Sequence, residues 1–207
     1  MLELYGKAAS INVRKVLWTL DELALPCRRH DIDSGFISPD TPAFRALNPN
    51  ALVPVLRDGE FVLWESNTIC RYLAGRQARA DLLPVEPRAR ARVEQWMDWQ
   101  ATELNSAWRY VFMARVRHSP AHADAQAITA SEQAWHHCMR ILDGQLERTG
   151  AHVTGEAFTL ADVVIGLSVQ RWLHTPLSHP ALPAVQAYRQ CLRERPAFLR
   201  HGDNGLP

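Results

Sequence analysis

The hydrophobic pattern of the chain changes once, near residue 76, and this change constrains the fold more than any other feature. Before it, short apolar runs alternate with segments of helical period, whereas after it the apolar patterns have only the period of an α-helix. The stretch between them, QARADLLPVEPRAR, contains two prolines, which is typical of a linker. We therefore predict an α/β domain over residues 1–77, a linker over 78–87 and an all-α helical domain over 88–207.

The first domain is predicted to begin with a strand and a helix. Residues 2–5 alternate in hydrophobicity and end at Gly6, as a short strand does. A helix follows that ends at Pro26, and we expect Arg14 and Lys15 to fall mostly on its polar side. The next strand is predicted over residues 27–32, where the hydrophobic pattern is weak and the order of elements is the main argument. The predicted buried face of the helix consists of Val13, Val16, Leu17, Leu20 and Ala24.

A hairpin and a second helix complete the predicted domain. In VPVLRDGEFVLW, two apolar runs flank Asp58-Gly59, which has the composition of a two-residue turn. Pro54 lies at the start of the first run, where a missing N–H is tolerated. Ser66 resembles an N-cap, and the helix after it has a short apolar face. That face consists of Ile69, Cys70, Leu73 and Ala74, so the domain has the order β-α-β, then β-β-α.

The second domain contains three strong helical patterns. Residues 160–172 are apolar nearly all round, as in a helix at the centre of a bundle, and Thr159 with Asp162 forms a pair like a capping box. A last helix is predicted from about Leu182 to Arg193, ending before Pro196. The other two stripes are Val93, Trp96, Met97, Gln100 and Leu104, and Trp135, Cys138, Met139, Leu142 and Leu146.

Composition excludes several classes of protein. The 207 residues are 47% hydrophobic and 22% charged with a formal charge of +1, which argues against disorder and against general nucleic-acid binding. No apolar run approaches the roughly 20 residues of a membrane helix, and the N-terminus lacks the pattern of a signal peptide. Four distant cysteines without a CxxC pair suggest a reducing cytoplasm. His136 and His137 point about 100° apart on a helix, so no metal site is expected.

Three stretches resemble the cytosolic glutathione transferases, and bacterial members of the theta, beta and nu neighbourhood in particular. They are SINVRKVLWTLDELALP, NPNALVPVLRDGEFVLWESNTICRYLA and FTLADVVIG, and together they cover most of the chain. The resemblance implies a thioredoxin-like first domain with a mixed four-stranded sheet and an all-helical second domain. It also implies glutathione as co-substrate, no metal, a small electrophilic substrate, a homodimer, and a cytoplasmic role in detoxification.

The middle stretch implies the glutathione-binding residues, which are Leu52, Val53, Pro54, Glu65 and Ser66. A cis peptide before Pro54 would turn the Val53 backbone outward to pair with a peptide in antiparallel fashion. Glu65 would meet the ligand's ammonium and Ser66 its carboxylate, because a helix N-terminus is partly positive. An ordinary edge proline and a plain helix cap are the alternatives. Family members often carry Gly-Lys where this chain has Ala51 and Leu52, so the partner of the glycyl carboxylate is lost unless Asn50, Arg14 or another basic residue replaces it.

The first stretch implies the catalytic residues. In theta-like relatives a serine at the position of Ser10 hydrogen-bonds the glutathione sulfur, and in nu-like relatives an asparagine at the position of Asn12 does so. Both are donors near a helix N-terminus and could stabilise a thiolate. Ser10 is assigned the main role and Asn12 a supporting one, while capping of the first helix is the alternative for Ser10. No cysteine occupies this place, which argues against thiol-transfer chemistry by the protein itself.

The electrophile pocket is expected between the domains, on the helix that starts after Pro87. Its candidates are Trp108, Arg109 and Met113, of which the arginine could bind an acidic substrate. A core tryptophan and a surface arginine are the alternatives for these two residues. Conjugation of glutathione to a small electrophile is the leading interpretation. Glutathione-dependent reduction of peroxides or disulfides and a non-catalytic regulatory or binding role on the same fold are the alternatives.

Overall fold

The computed structural model describes residues 1–32 and 40–207, which form two compact units. The first unit is Met1–Leu83 and the second is Pro84–Pro207, so the division falls inside the stretch 78–87. Leu82 and Leu83 in that stretch are buried, and the Arg79 guanidinium donates to the carbonyl of Glu22 over 3.0 Å. Residues 78–83 of the predicted linker are therefore packed against the rest of the first unit and belong to its folded structure. Within the described residues, none of the helices is both long enough and apolar enough to cross a membrane.

The first unit is built on a mixed four-stranded sheet in the order β2-β1-β3-β4. Its strands are β1 (Leu2–Tyr5), β2 (Cys27–His30), β3 (Val55–Asp58) and β4 (Phe61–Trp64). β1 pairs in parallel with β2 and antiparallel with β3, which pairs antiparallel with β4. Among the described residues of this unit, the sheet is accompanied by α1 (Ile11–Glu22), α2 (Pro42–Leu47) and α3 (Ser66–Arg76). This is the thioredoxin-like arrangement that the resemblance implies.

The hairpin between β3 and β4 is confirmed, but its turn lies one residue later than predicted. Asp58 pairs with Phe61, so the two loop residues are Gly59 and Glu60 instead of Asp58 and Gly59. Gly59 has φ +63°, a left-handed conformation that glycine adopts without steric cost. Asp58 is fixed in the strand because its carboxylate accepts a hydrogen bond from Tyr72 over 2.8 Å and pairs with Arg76 at 2.8 Å.

Helix α1 is buried on more sides than its apolar stripe indicates. Val13, Val16 and Leu20 are buried as predicted, but Leu17 is only half-buried. The expectation that Arg14 and Lys15 face solvent is wrong, because each is only 1% exposed. Burial lowers the pKa of Arg14 to about 10, so its guanidinium stays charged at neutral pH.

The second unit is built mainly of helices joined by loops, one of which contains a 3-10 turn (Pro120–His122). The helices are α4 (Pro87–Trp99), a π-helical turn (Gln100–Leu104), α5 (Asn105–Arg115), α6 (Ala125–Thr149), α7 (Leu160–His174), α8 (Pro183–Arg193) and α9 (Pro196–His201). The stripe on α6 is buried throughout, and the stripe on α4 is buried except at Trp96. Helix α9 is not predicted by the sequence pattern, because a proline normally ends a helix, whereas Pro196 occupies the first turn of a new one.

Helix α7 is the centre of this unit, and every residue from Leu160 to Trp172 is buried. The predicted pairing at its start is present. Asp162 accepts hydrogen bonds from the backbone N–H of Thr159 at 2.8 Å and of Val153 at 2.9 Å. The hydroxyl of Tyr188, from α8, donates to the same carboxylate at 3.1 Å. One buried carboxylate thus joins the preceding loop, the start of α7 and α8.

Candidate functional site

Three segments of the first unit converge at one end of the sheet: the turn from Gly6 to α1, the residues before β3, and the start of α3. Gly6 has φ +150°, and its N–H donates to the carbonyl of His30 over 2.8 Å. A Cβ at this position would collide with Val13 Cγ2 and lie 3.1 Å from the Cβ of Val53. Only glycine therefore allows the start of α1 and the residue before Pro54 to approach this closely.

Ser10 occupies the N-cap position of α1, but it does not cap the helix with its side chain. Its backbone is extended, with φ −76° and ψ 125°, and its carbonyl accepts the first bond of the helix from Arg14. The hydroxyl makes no capping hydrogen bond, and the residue is half-buried. Ser10 is thus the N-cap of α1 by position, and within the described part of the chain its hydroxyl makes no bond to the first turn of the helix.

Asn12, two residues further on, links α1 to α3. Its Oδ1 accepts a hydrogen bond from the Ser66 hydroxyl at 3.5 Å, a long contact that still brings the two predicted site residues together. A second link lies one turn along, where the Nζ of Lys15 donates to Oδ1 of Asn67 at 3.1 Å. A buried ammonium is thus held at the first turn of α3.

The sequence pattern gave no reason to assign Lys15 or Asn67 to the site. A signal for the burial of Lys15 was nevertheless present. Ile11 and Trp18 lie off the predicted stripe of α1, so apolar residues occupy more than one face of that helix, as they do in buried helices. Asn67 carries no comparable signal, since a polar residue in a first helical turn is common.

The start of α3 corrects one prediction about Ser66. The N-cap is Glu65 and Ser66 is the first helical residue, with its side chain buried. Glu65 has φ +72° and ψ 108°, an unfavourable conformation for a residue with a side chain, and its carboxylate is exposed and makes no cap bond. The first N–H groups of a helix such as α3 have no intrahelical partners. They make the N-terminal end of the helix partly positive, which favours binding of an anion.

The residues before β3 present an unused stretch of backbone. The Val53–Pro54 peptide bond is cis, as the resemblance implies. Within residues 1–32 and 40–207, no hydrogen bond joins the N–H or carbonyl of Val53 to another group. The preceding loop is held by Asn48, whose Nδ2 donates to the carbonyl of Leu52 at 2.7 Å. The side chain of Leu52 is 64% exposed.

The two residues suggested in place of the missing lysine differ in exposure. Arg14 lies in the interior of the unit, with 1% exposure. Asn50 is exposed, but its amide nitrogen donates to Oδ1 of Asn48 at 3.2 Å. The nearest basic residue earlier in the sequence is Arg45, which pairs with Asp40 at 2.7 Å.

The three residues suggested for an electrophile pocket lie on α5, beyond the π-helical turn. Trp108 is half-buried, donates from Nε1 to Oδ1 of Asn105 at 3.0 Å, and lies 4.5 Å from the guanidinium carbon of Arg171. Arg109 is exposed and Met113 is half-buried. Trp108 thus packs much as a core tryptophan would, which is the alternative to a pocket residue, but part of its ring remains accessible.

The cysteines do not supply a reactive thiolate. All four are free, and burial raises the pKa of the Cys27 and Cys70 thiols to about 11. Burial also raises the pKa of Cys138 and of Cys191. Among the described residues there is no group of three or more histidine, cysteine or acidic side chains that could hold a metal ion. None of the four protein thiols is therefore favoured as a thiolate at neutral pH.

An extended backbone edge, a helix N-terminus and the Ser10 hydroxyl meet on one unit, whose fold is of the thioredoxin-like class. Comparison with known proteins agrees with this class. Residues 4–81 match the model of the glutathione S-transferase N-terminal domain. The chain is 38% identical to the glutathione S-transferase GstB of Escherichia coli K12, over 97% of each chain. It is also 28% identical to the disulfide-bond oxidoreductase YfcG of that species, over 95% of this chain and 92% of YfcG.

A solved structure extends the similarity to the whole fold. The theta class glutathione S-transferase of Xanthomonas axonopodis pv. citri, with glutathione bound, matches with a TM-score of 0.91 and 36% identity, over 100% of this chain and 99% of that one. The chain belongs to the glutathione S-transferase family and is an enzyme of that class.

Proposed function

We propose that the first unit binds glutathione along Val53 and the start of α3, and that Ser10 stabilises its thiolate for conjugation to a small electrophile. One observation carries the proposal. The hydroxyl of Ser10 is not used as a cap, while Asn12, in the same turn, contacts Ser66 at the start of α3. Glutathione carries a thiol and a carboxylate along one short peptide, and this arrangement supplies a donor for each.

The γ-glutamyl end of glutathione would lie at the start of α3. Its carboxylate accepts from Ser66 and from the free N–H groups of the first turn, where the helix dipole favours an anion. The ammonium of Lys15, held at this turn, adds positive charge close to the same point. The exposed carboxylate of Glu65 meets the ligand's ammonium. The cysteinyl backbone pairs with the free N–H and carbonyl of Val53.

Stabilising the thiolate accounts for only part of the rate. Lowering a thiol pKa from about 8.5 to about 6.5 raises the thiolate fraction at pH 7 from about 3% to about 76%. Nucleophilicity falls with pKa and removes about eightfold of that gain, which leaves a net advantage of about threefold. Holding the electrophile against the sulfur must therefore supply most of the acceleration.

The reaction is a two-electron displacement or addition. The thiol proton passes to solvent, and the sulfur of the thiolate forms a bond to the electrophilic carbon. In a substitution the leaving group departs with its bonding electron pair, while in an addition the electron pair moves to the activating group and is then protonated. We place Trp108, Arg109 and Met113 in the electrophile pocket, where the exposed guanidinium of Arg109 suits an acidic substrate.

Reduction of peroxides or disulfides by glutathione is the second candidate. It is favoured by the similarity to the oxidoreductase YfcG and by Asn12, which the family resemblance links to nu-like relatives. One glutathione thiolate would attack the peroxide oxygen or the disulfide sulfur, and a second glutathione would complete the reaction. The products are glutathione disulfide with an alcohol and water, or with two thiols. Both routes use the thiol of glutathione, since all four protein thiols have raised pKa values.

The test compares turnover of electrophiles with turnover of peroxides and disulfides, for the wild-type chain and for Ser10→Ala and Asn12→Ala. We expect the wild type to conjugate electrophiles and Ser10→Ala to lose activity most at acid pH. Turnover of peroxides or disulfides alone, impaired mainly by Asn12→Ala, would favour the second candidate. A folded wild type that turns over neither class would contradict both.

We also propose that the protein is a homodimer in the cytoplasm, as the family resemblance implies. Sedimentation equilibrium would give about twice the mass of one 23.4 kDa chain. A single species at that chain mass would contradict the dimer.

A further inference from the structure

We infer that Asn105 is a specificity-determining residue of the electrophile pocket, whose side-chain amide donates to a substrate oxygen that gains negative charge during the reaction. The substrates that it favours are conjugated carbonyl compounds, to which the sulfur adds while the electron pair moves toward the carbonyl oxygen. The inference rests on the proposed function, because it takes Trp108, three residues further along α5, as part of that pocket.

The position of Asn105 is set by the π-helical turn that precedes it. The backbone N–H of Asn105 donates to the carbonyl of Gln100, five residues earlier. In a regular α-helix, side chains five residues apart point about 140° away from each other and do not meet. The π-helical turn reduces this angle, and Nε2 of Gln100 donates to Oδ1 of Asn105 at 2.9 Å. Such turns are rare and occur frequently at functional sites.

Two donors fix the orientation of the Asn105 amide. Its Oδ1 accepts from Nε2 of Gln100 at 2.9 Å and from Nε1 of Trp108 at 3.0 Å. Because the indole N–H can only donate, rotating the amide by half a turn would break its bond to Trp108. Gln100 is 1% exposed, so the other donor is held in the interior of the unit. Nδ2 is therefore directed away from both groups, and within the second unit, all of whose residues are described, no group accepts from it.

This amide lies at the N–H edge of a partly accessible aromatic ring. Asn105 and Trp108 are both half-buried, so each has a part that a ligand can reach. The Trp108 ring lies 5.3 Å from the ring of Phe112 and 6.2 Å from that of Trp135, and the guanidinium carbon of Arg171 is 4.5 Å from its centroid. These contacts hold the ring in one orientation. A fixed ring with an amide donor at its edge suits a flat conjugated ligand that carries an acceptor oxygen.

The donor has its largest effect on an addition. The thiolate sulfur bonds to the β-carbon of the conjugated carbonyl compound, the C=C electron pair moves to give an enolate, and a proton from solvent completes the thioether. A donor placed at the enolate oxygen bonds more strongly as the charge develops, which lowers the barrier. In a substitution of an alkyl halide the charge develops on the halide instead, and the amide has no substrate oxygen to bond. Asn105 thus favours conjugated carbonyl compounds over alkyl halides.

The experiment measures kcat and KM at saturating glutathione for benzylideneacetone, a conjugated ketone, and for benzyl chloride, an aromatic electrophile without oxygen. Asn105→Asp keeps an oxygen for Gln100 and Trp108 but replaces the amide donor with a second acceptor. We expect it to lower kcat/KM for benzylideneacetone, relative to benzyl chloride, by about tenfold, since a hydrogen bond accounts for about 2–12-fold and one to a developing charge lies near the upper end.

Two further variants separate the amide from its charge and from the fold. Asn105→Ser removes the amide without adding charge, and it should change the ratio of the two substrates in the same direction. Ser106→Asp adds the same charge at the next residue, which is exposed, and as the matched control it should keep the wild-type ratio. Thermal melting of each variant shows that the ratio is measured on folded protein.

The outcomes distinguish this inference from the proposed function. An unchanged ratio in folded Asn105→Asp and Asn105→Ser, or an equal change in Ser106→Asp, would overturn the role of the amide. A wild type that conjugates benzyl chloride but not benzylideneacetone would also overturn it, and both results would leave the proposed function intact. A folded wild type that conjugates no electrophile would contradict the proposed function and this inference with it.

Discussion

Replacing Ser10 with alanine should alter catalysis while leaving stability almost unchanged. An N-cap serine normally contributes about 1 kcal/mol, but that value assumes a side-chain bond to the helix, which Ser10 lacks. Thr41 provides a comparison in the same unit, because its hydroxyl accepts from the N–H of Phe44 at 3.2 Å. We therefore expect Thr41→Ala to lower the melting temperature by about 2–4 °C and Ser10→Ala to lower it by much less.

The catalytic effect of Ser10→Ala follows from one lost hydrogen bond. A bond to a charged group contributes about 1.5–3 kcal/mol, which corresponds to a rise of about 1–2 units in the pKa of the bound thiol. With a rise of 2 units from about 6.5, the thiolate fraction falls about 25-fold at pH 7 and about 90-fold near pH 5.5. The more basic thiolate is about eightfold more nucleophilic, so the net losses are about threefold and about elevenfold.

Two measurements check this reasoning. The pH dependence of kcat reports the pKa of the thiol in the complex, and the ultraviolet absorbance of the thiolate reports it directly. We expect the acid limb of both curves to move to higher pH in Ser10→Ala, with the two rates equal at about pH 7.6 and the variant about sixfold faster at about pH 9, where both thiols are largely ionised and the more basic one is the better nucleophile. An unchanged acid limb with a uniform loss of rate would refute a hydrogen bond from Ser10 to sulfur, and a large drop in melting temperature would refute the absence of a cap bond.

Three further outcomes are expected. Glu65→Gly should relieve the positive-φ backbone and stabilise the fold by about 1 kcal/mol while weakening glutathione binding in calorimetry, whereas Ala78→Gly, also at positive φ, should stabilise without affecting binding. Asp162→Ala leaves two buried N–H groups unpaired, so its thermal unfolding should begin about 6–12 °C lower, and a shift under about 2 °C would contradict the role of its carboxylate. Burial lowers the pKa of His136 below its unfolded value, so protonation favours the unfolded chain and stability is lost as pH falls through about 6.5. His136→Gln should flatten this loss in pH-dependent melting, and the exposed His137→Gln should not.

The sequence was sufficient for the elements whose patterns are strong and local. The alternation at Leu2–Tyr5, the hairpin before α3 and the all-apolar α7 each follow from one short window of residues, and all three occur in the structure. Asp162 was recognised because a capping pair has fixed spacing. That Val53 and Glu65 belong to one site follows only from the family resemblance, since no local sequence pattern indicates that the two residues lie close together.

The rest depended on contacts between segments that are distant in sequence. Lys15 and Asn67 are 52 positions apart in the sequence. No local pattern around either residue indicates that the Lys15 ammonium is buried against the Asn67 side-chain amide. The turn at Gly59 moved by one residue because tertiary contacts hold Asp58 in its strand. The residue type of Ser66 predicts an N-cap there, whereas Glu65 occupies that position with a backbone conformation that is unfavourable for a residue with a side chain.

The most direct test of a glutathione site on the first unit is calorimetry with the wild type and with Glu65→Ala/Ser66→Ala. Micromolar to millimolar glutathione binding by the wild type, lost in the folded double variant, is the expected result, because the two changes remove the contacts at the γ-glutamyl end. No heat at several millimolar glutathione with folded wild-type protein, or equal binding by both proteins, would contradict this site.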